Sequence, residues 1–247
     1  MKLFNSIVAA ASVRRCYLLA PAVSLFLLAN STLTFAQTNI PPVPLEVVPN
    51  APAQPANAEK VDPFSDPLIQ QIRTRHEKAV AGDKKETKAL TTDLEKWTQE
   101  QPTNYMLQAY LGSVYTLDSR DSWWGPDKLT FLRKGGQWLD AAVASAPDNP
   151  GVRFVRAIDY YELPSLFGKG ATARDDFQIL LKQVDGETPS AYVLNTETQQ
   201  AIFLYAGKSF YQQSQYPQAK DAWMRGYKLA PTSDLGKKIG DELMSVK

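Results

Sequence analysis

Cysteine and histidine are almost missing from this 247-residue chain, which contains one of each, Cys16 and His76. One cysteine cannot form an intramolecular disulfide, and no group of histidine, aspartate and glutamate has the spacing of metal ligands. We therefore expect no metal, no cofactor and no catalytic residue, and we expect that the protein is not an enzyme. His76 follows Ile72 by four positions on the apolar side of a predicted helix, which favours a partly buried packing residue.

An excess of charge of either sign is also lacking. The chain has 27 basic and 26 acidic residues, a net charge of +1. Residues 1–36 include Lys2, Arg14 and Arg15 but no acidic residue, so the chain without them would have a net charge of −2. A weakly acidic protein has no electrostatic reason to bind nucleic acid, and we expect no such partner.

Residues 1–36 have the pattern of a signal peptide. The basic pair Arg14 and Arg15 precedes an apolar run over 17–29, and a small residue, Ala36, ends a potential cleavage site. Without cleavage, the same segment could anchor the chain in a bilayer of ~30 Å. Both alternatives predict an exported protein of the periplasm or cell envelope. We expect membrane contact only through this segment, and only if it is not cleaved. General secretory and twin-arginine export both stay open.

Proline recurs along residues 37–66, where it removes backbone donors and blocks helix formation. We expect a disordered linker of polyproline II character that acts as a spacer. A proline-rich ligand for another protein is the alternative.

Residues 67–247 show helical spacing of apolar residues and no convincing strand alternation. The helical runs stop at Pro102, Pro147 and Pro231, since proline disfavours helix in the residue before it. The last run, from about Ser233, is apolar on one face only. The pattern predicts an all-α domain of about nine helices.

Residues 200–233 resemble one tetratricopeptide repeat, a helix–turn–helix unit of about 34 residues. The residues at that family's offsets are Gly207, Phe210, Ala219, Trp223, Gly226 and Pro231. Looser matches begin at Gly112 and Ala157, with insertions at 116–128 and 162–174, and 67–101 matches only in its second helix. The resemblance implies a tetratricopeptide-like helical-hairpin solenoid of four hairpins, closed by a C-terminal capping helix.

In that family the first helix of each hairpin lines a concave groove. The resemblance places these inward candidates for binding in the groove: Tyr110, Tyr161, Tyr205, Lys208 and Tyr211. It implies an adaptor or scaffold that binds a protein or peptide partner. Two alternatives stay open: these tyrosines could pack in the core, and the protein could be a small-molecule carrier associated with an envelope transport system.

The first insertion contains adjacent tryptophans, Trp123 and Trp124, which are costly to leave in water. They either fold back onto the domain, which residue burial preferences favour, or form an exposed interaction patch. The second insertion reads as a long turn between helices. The acidic pair after it, Asp175 and Asp176, is expected to cap a helix or to be solvated.

Overall fold

The computed structural model describes residues 60–188 and 190–245. The predicted signal peptide, 1–36, and most of the predicted linker, 37–66, lie outside these residues. Nine α-helices and no strands form in the described part, which confirms the all-α class. None of these helices is long and apolar enough to cross a membrane.

The helices are numbered here in chain order. Their bounds are α1 Pro67–Val80, α2 Lys84–Glu100, α3 Tyr105–Asp121, α4 Gly125–Ser145, α5 Pro150–Glu162, α6 Gly170–Val184, α7 Thr196–Gln212, α8 Tyr216–Leu229 and α9 Asp234–Ser245. A short 3₁₀ helix, Ser165–Phe167, precedes α6. The expected stops are confirmed at Pro102, Pro147 and Pro231, because α2, α4 and α8 each end two residues before a proline.

Aspartate and asparagine side chains begin most of the helices. Asp66 accepts a hydrogen bond from the backbone N–H of Leu68 at 2.7 Å, at the start of α1. The same role falls to Asp83, Asn104, Asn149 and Asn195 for α2, α3, α5 and α7. Each of these caps satisfies a backbone donor that has no partner within its helix.

The helices pack in chain order. Each contacts the next one, and α1, α3, α5, α7 and α9 also contact one another in sequence.

Two glycines let α3 and α4 cross closely. A Cβ built on Gly112 would lie 2.9 Å from the carbonyl oxygen of Gly135, and one on Gly135 would lie 2.7 Å from that of Gly112. Any larger side chain at either position would separate the two backbones.

The C-terminal hairpin, α7 and α8, closes around Trp223. A Cβ on Gly207 would lie 2.3 Å from the indole nitrogen of Trp223, so glycine leaves the space that the ring fills. The indole N–H donates to the carbonyl oxygen of Leu204 at 3.0 Å. Ala219, also on α8, is fully buried.

The packed domain begins before α1. The backbone N–H of Val61 donates to the carbonyl oxygen of Ala191 at 3.1 Å, and Val193 donates to Val61 at the same distance. Phe64 is buried edge-on against Phe154 of α5, with ring centroids 6.2 Å apart. The last residues of the segment predicted as linker therefore belong to the core.

Both insertions are largely helical. In 116–128, α3 continues to Asp121 and α4 begins at Gly125, so only residues 122–124 connect them. Pro126 favours this early start, because proline fits the first turn of a helix. The expected long turn at 162–174 instead contains the 3₁₀ helix and the first turn of α6.

Candidate functional site

The tyrosines expected in a concave groove lie in different environments. Tyr110 and Tyr205 are only 2% and 1% exposed, whereas Tyr211 is 42% exposed. The Tyr205 ring stacks on Phe177 at 6.4 Å and meets Tyr161 edge-on at 5.7 Å. Tyr110 and Tyr205 are therefore core residues, as the alternative for the tyrosines stated, and their rings offer no open surface to a partner.

Lys208 and Tyr211 are engaged with neighbouring side chains. The Lys208 ammonium lies 3.0 Å from Glu242 of α9, so the last helix supplies its counter-charge. The Tyr211 ring packs against Tyr216 and Trp223, with centroids 5.2 and 5.8 Å away. Of the five expected groove residues, Tyr211 presents the most surface that a partner could contact.

His76 is buried where α1 meets α3. Its Nε2 lies 2.8 Å from the Ser113 hydroxyl, and its ring packs edge-on against Tyr110. Burial lowers the His76 pKa to about 4, with smaller contributions from Arg120 and Arg73. The imidazole is therefore neutral near pH 7, which agrees with the packing role expected from its position.

Asp159 of α5 lies near the Ser113 hydroxyl that His76 contacts. It accepts a hydrogen bond from the Thr116 hydroxyl at 3.4 Å. Burial raises the Asp159 pKa to about 7, against hydrogen bonds from Ser113 and Thr116 that lower it. A serine–histidine–aspartate relay needs the carboxylate on the imidazole. Here the carboxylate contacts hydroxyl groups instead, so the arrangement does not activate a nucleophile.

Asp176, expected to cap a helix or to be solvated, is 1% exposed, and this expectation is wrong. It accepts hydrogen bonds from Arg153 at 2.7 Å and from Arg156 at 2.8 Å, both across the α5–α6 interface. The two arginines stand where apolar residues are usual in a helical hairpin. Their burial requires a buried counter-charge, since a lone charge in the interior is costly.

The same network continues to α4 and the second insertion. Arg156 also donates to Asp140 at 3.1 Å, and Lys169 donates to Asp140 at 3.2 Å. The Lys169 ammonium reaches the Tyr160 hydroxyl at 3.1 Å, and this hydroxyl donates to the carbonyl oxygen of Gly136 at 3.1 Å. Charged side chains thus join α4, α5, α6 and the segment before α6.

A cleft of about 290 Å³ opens at the Lys169 end of this network. It lies between α3, α4, α5 and the 3₁₀ helix. Its apolar walls are Leu129, Leu132, Leu163 and Phe167. Its charged residues are two cations, Arg133 and Lys169, and the carboxylate of Asp140. This cleft was not predicted from the sequence. The spacing of Leu129, Leu132 and Gly136 on one face of α4 is the signal that could have indicated it.

The tryptophans of the first insertion are exposed. Trp123 is 89% exposed and Trp124 is 51% exposed, with ring centroids 5.7 Å apart. The favoured prediction, that they fold back, is wrong, and the exposed patch is what the structure shows. The short connection at 122–124 explains this result, because it leaves no length of chain to turn the rings onto the domain.

Comparisons with known proteins identify no relative. No protein-family model, no curated protein and no solved structure matches the chain. Within residues 60–188 and 190–245, no group of histidine, cysteine, aspartate and glutamate is placed to hold a metal ion. The cleft and the exposed tryptophan pair are therefore the two candidate sites.

Proposed function

We propose that this protein is an exported, non-enzymatic adaptor made of tetratricopeptide-type hairpins, and that it holds a protein or peptide partner. Two features support the repeat assignment. The helices pack in chain order, and Gly207 of α7 accommodates Trp223 of α8 at positions that match that family's offsets. Repeats that contact only near neighbours are typical of solenoids, in which partners bind along an extended surface.

The exposed pair Trp123 and Trp124 is the observation that supports partner binding best. Tryptophan is enriched among the residues that contribute most to protein interfaces. Two adjacent rings also form an apolar patch that is costly to leave in water. Tyr110 and Tyr205 are buried, so we assign the partner surface to the tryptophan pair and not to the expected groove.

The export part of the proposal depends on residues 1–36, outside the described region. N-terminal sequencing of the protein from the envelope fraction tests it. Gln37 as the first residue supports cleavage, intact Met1 in that fraction supports an anchor, and protein found only in the cytoplasm contradicts export.

Comparative affinity capture tests the partner surface. The chain is expressed with Trp123 and Trp124 both changed to Ala, and what co-purifies is compared with the unchanged protein. We expect specific partners to be lost from the double variant while its melting temperature is unchanged. A matched control replaces two other exposed aromatic residues, Tyr216 and Tyr227, with Ala. Equal recovery with both double variants would contradict the assignment.

A further inference from the structure

We propose that the cleft between α3, α4, α5 and the 3₁₀ helix binds a small amphipathic anion, with one carboxylate or phosphate on an apolar chain or ring. This inference does not depend on the adaptor function, and it involves a different surface from the tryptophan pair. Three properties of the cleft support it: its charge, its apolar walls and its size.

The charge of the cleft favours an anion. In the network that reaches the cleft, Lys169, Arg156 and Arg153 share two carboxylates. These are Asp176, which is buried, and Asp140, which also lines the cleft and is bound to Lys169 and Arg156. One positive charge is therefore left over among the five groups, and Lys169 is the cation that lines the cleft.

Arg133 adds a second positive charge at the cleft. It is exposed, and among the described residues it forms no hydrogen bond or ion pair. Asp159 lies behind Thr116, which also lines the cleft, and its pKa of about 7 keeps it partly protonated near neutral pH. A guanidinium with no counter-charge suits a carboxylate or phosphate, to which it can donate two hydrogen bonds.

The walls favour an apolar group attached to that anion. Leu129, Leu132, Leu163 and Phe167 line the cleft beside the two cations. Ligand sites commonly combine an apolar lining with a few polar groups that fix orientation. The Tyr160 hydroxyl, held between Lys169 and the carbonyl oxygen of Gly136, is such a group.

The size of the cleft indicates a small ligand. Its volume of about 290 Å³ is near the lower end of small-molecule sites, which run to ~1,000 Å³. One apolar chain or ring with its head group fits this space better than a folded peptide segment does. Leu129 is 63% exposed, so it can extend the contact with a longer chain.

Isothermal titration with decanoate, below its micelle-forming concentration, tests the proposal on the purified protein. We expect saturable binding at one site and at least ~10-fold weaker binding of the uncharged analogue decanol. Arg133→Gln should remove most of the difference between the two ligands. Lys220→Gln, an exposed cation on α8, is the matched control and should change neither affinity.

Gly136→Leu tests the position of the site. A Cβ at residue 136 would meet the Tyr160 hydroxyl at 3.4 Å, an ordinary contact, and the rest of the side chain would fill the cleft. We expect decanoate binding to be lost with the melting temperature preserved, since leucine also favours helix more than glycine does. If this variant fails to fold, Arg133→Gln still tests the charge, because its exposed side chain has no structural partner.

Vesicles distinguish the two sources of such a ligand. Binding of free decanoate that Gly136→Leu abolishes supports a soluble amphiphile. Binding only to phosphatidylglycerol vesicles, again abolished by Gly136→Leu and absent with phosphatidylcholine, supports a lipid in a bilayer. The proposal is overturned if neither probe binds, if decanol binds as tightly as decanoate, or if Gly136→Leu and Arg133→Gln leave the binding unchanged.

Discussion

The C-terminal hairpin and the middle of the domain are held together in different ways. In α7 and α8, a glycine lies under a tryptophan, and apolar contact fills the space between the helices. In the middle of the domain, Arg153 and Arg156 of α5 and Lys169, just before α6, reach carboxylates on α4 and α6. The first arrangement is closed, whereas the second ends in a cleft with spare positive charge.

This difference indicates that the ionic network positions a site, in addition to packing the helices. Apolar packing of similar volume is often as stable as a buried ion network, so the charges are not required for stability alone. The network instead fixes Lys169 and Tyr160 at the wall of the cleft. The C-terminal hairpin, α7 and α8, has no comparable ionic network. It therefore shows how such a hairpin packs without one.

Removal of the buried carboxylate should have the largest effect on stability. Asp176→Asn leaves Arg153 and Arg156 without their shared counter-charge. Breaking a buried pair in this way costs about 3–5 kcal/mol, and we expect that loss in the free energy of unfolding measured with urea. A loss below about 1 kcal/mol would contradict the burial of both arginines against this carboxylate.

A bulky side chain at the apolar crossing should have the next largest effect. Gly207→Leu forces Trp223 from its place, and overpacking of this kind costs about 3 kcal/mol. Gly136→Leu is the matched control, because the same substitution there points into the cleft. Urea unfolding should separate the two variants clearly. Similar losses in both would contradict the contrast between a closed hairpin and an open cleft.

Two buried titratable groups should give opposite pH dependence. The folded pKa of His76 is about 4, below its ordinary value of 6.5, so this group makes the protein more stable as pH rises from 4 to 6.5. The folded pKa of Asp159 is about 7, above its ordinary value of 3.8, so this group makes the protein less stable as pH rises from 4 to 7. In the unchanged protein the two effects oppose each other.

Single substitutions should expose each effect. The two pH windows overlap between about pH 4.5 and 6.5. In this range the stability of Asp159→Asn should rise by roughly 1 kcal/mol per pH unit, because of the two groups only His76 still titrates. The stability of His76→Gln should fall by a similar amount, because only Asp159 still titrates. Urea midpoints measured across that range check the signs. Parallel profiles for the two variants would contradict the burial of these groups in the folded state.

The smallest effect on stability should come from the exposed tryptophans. Trp123→Ala combined with Trp124→Ala removes side chains that project from the connection between α3 and α4. Surface substitutions usually change stability by less than about 0.5 kcal/mol, and thermal unfolding should show little change. A larger loss would mean that the pair supports the fold and does not form a free interaction patch.

The sequence predicted the helices better than it predicted the site. Proline stops and apolar spacing gave the all-α class and the ends of α2, α4 and α8, because these are local effects. The ionic network was missed because Arg156, Asp140 and Asp176 lie on three different helices. The tryptophans are exposed because α3 and α4 extend to within three residues of each other. The resemblance assigns residues 116–128 to an insertion in the turn, so it does not predict this helix length.

Site-specific photo-crosslinking in the producing cell tests the partner surface most directly. A photoreactive phenylalanine analogue is placed at position 123 in one variant and at position 211 in another, since both side chains are exposed. We expect a discrete crosslinked product from position 123 and none from position 211. A product from position 211 alone would contradict the assignment of the partner surface to the tryptophan pair. It would support binding in the groove that was expected from the tyrosines.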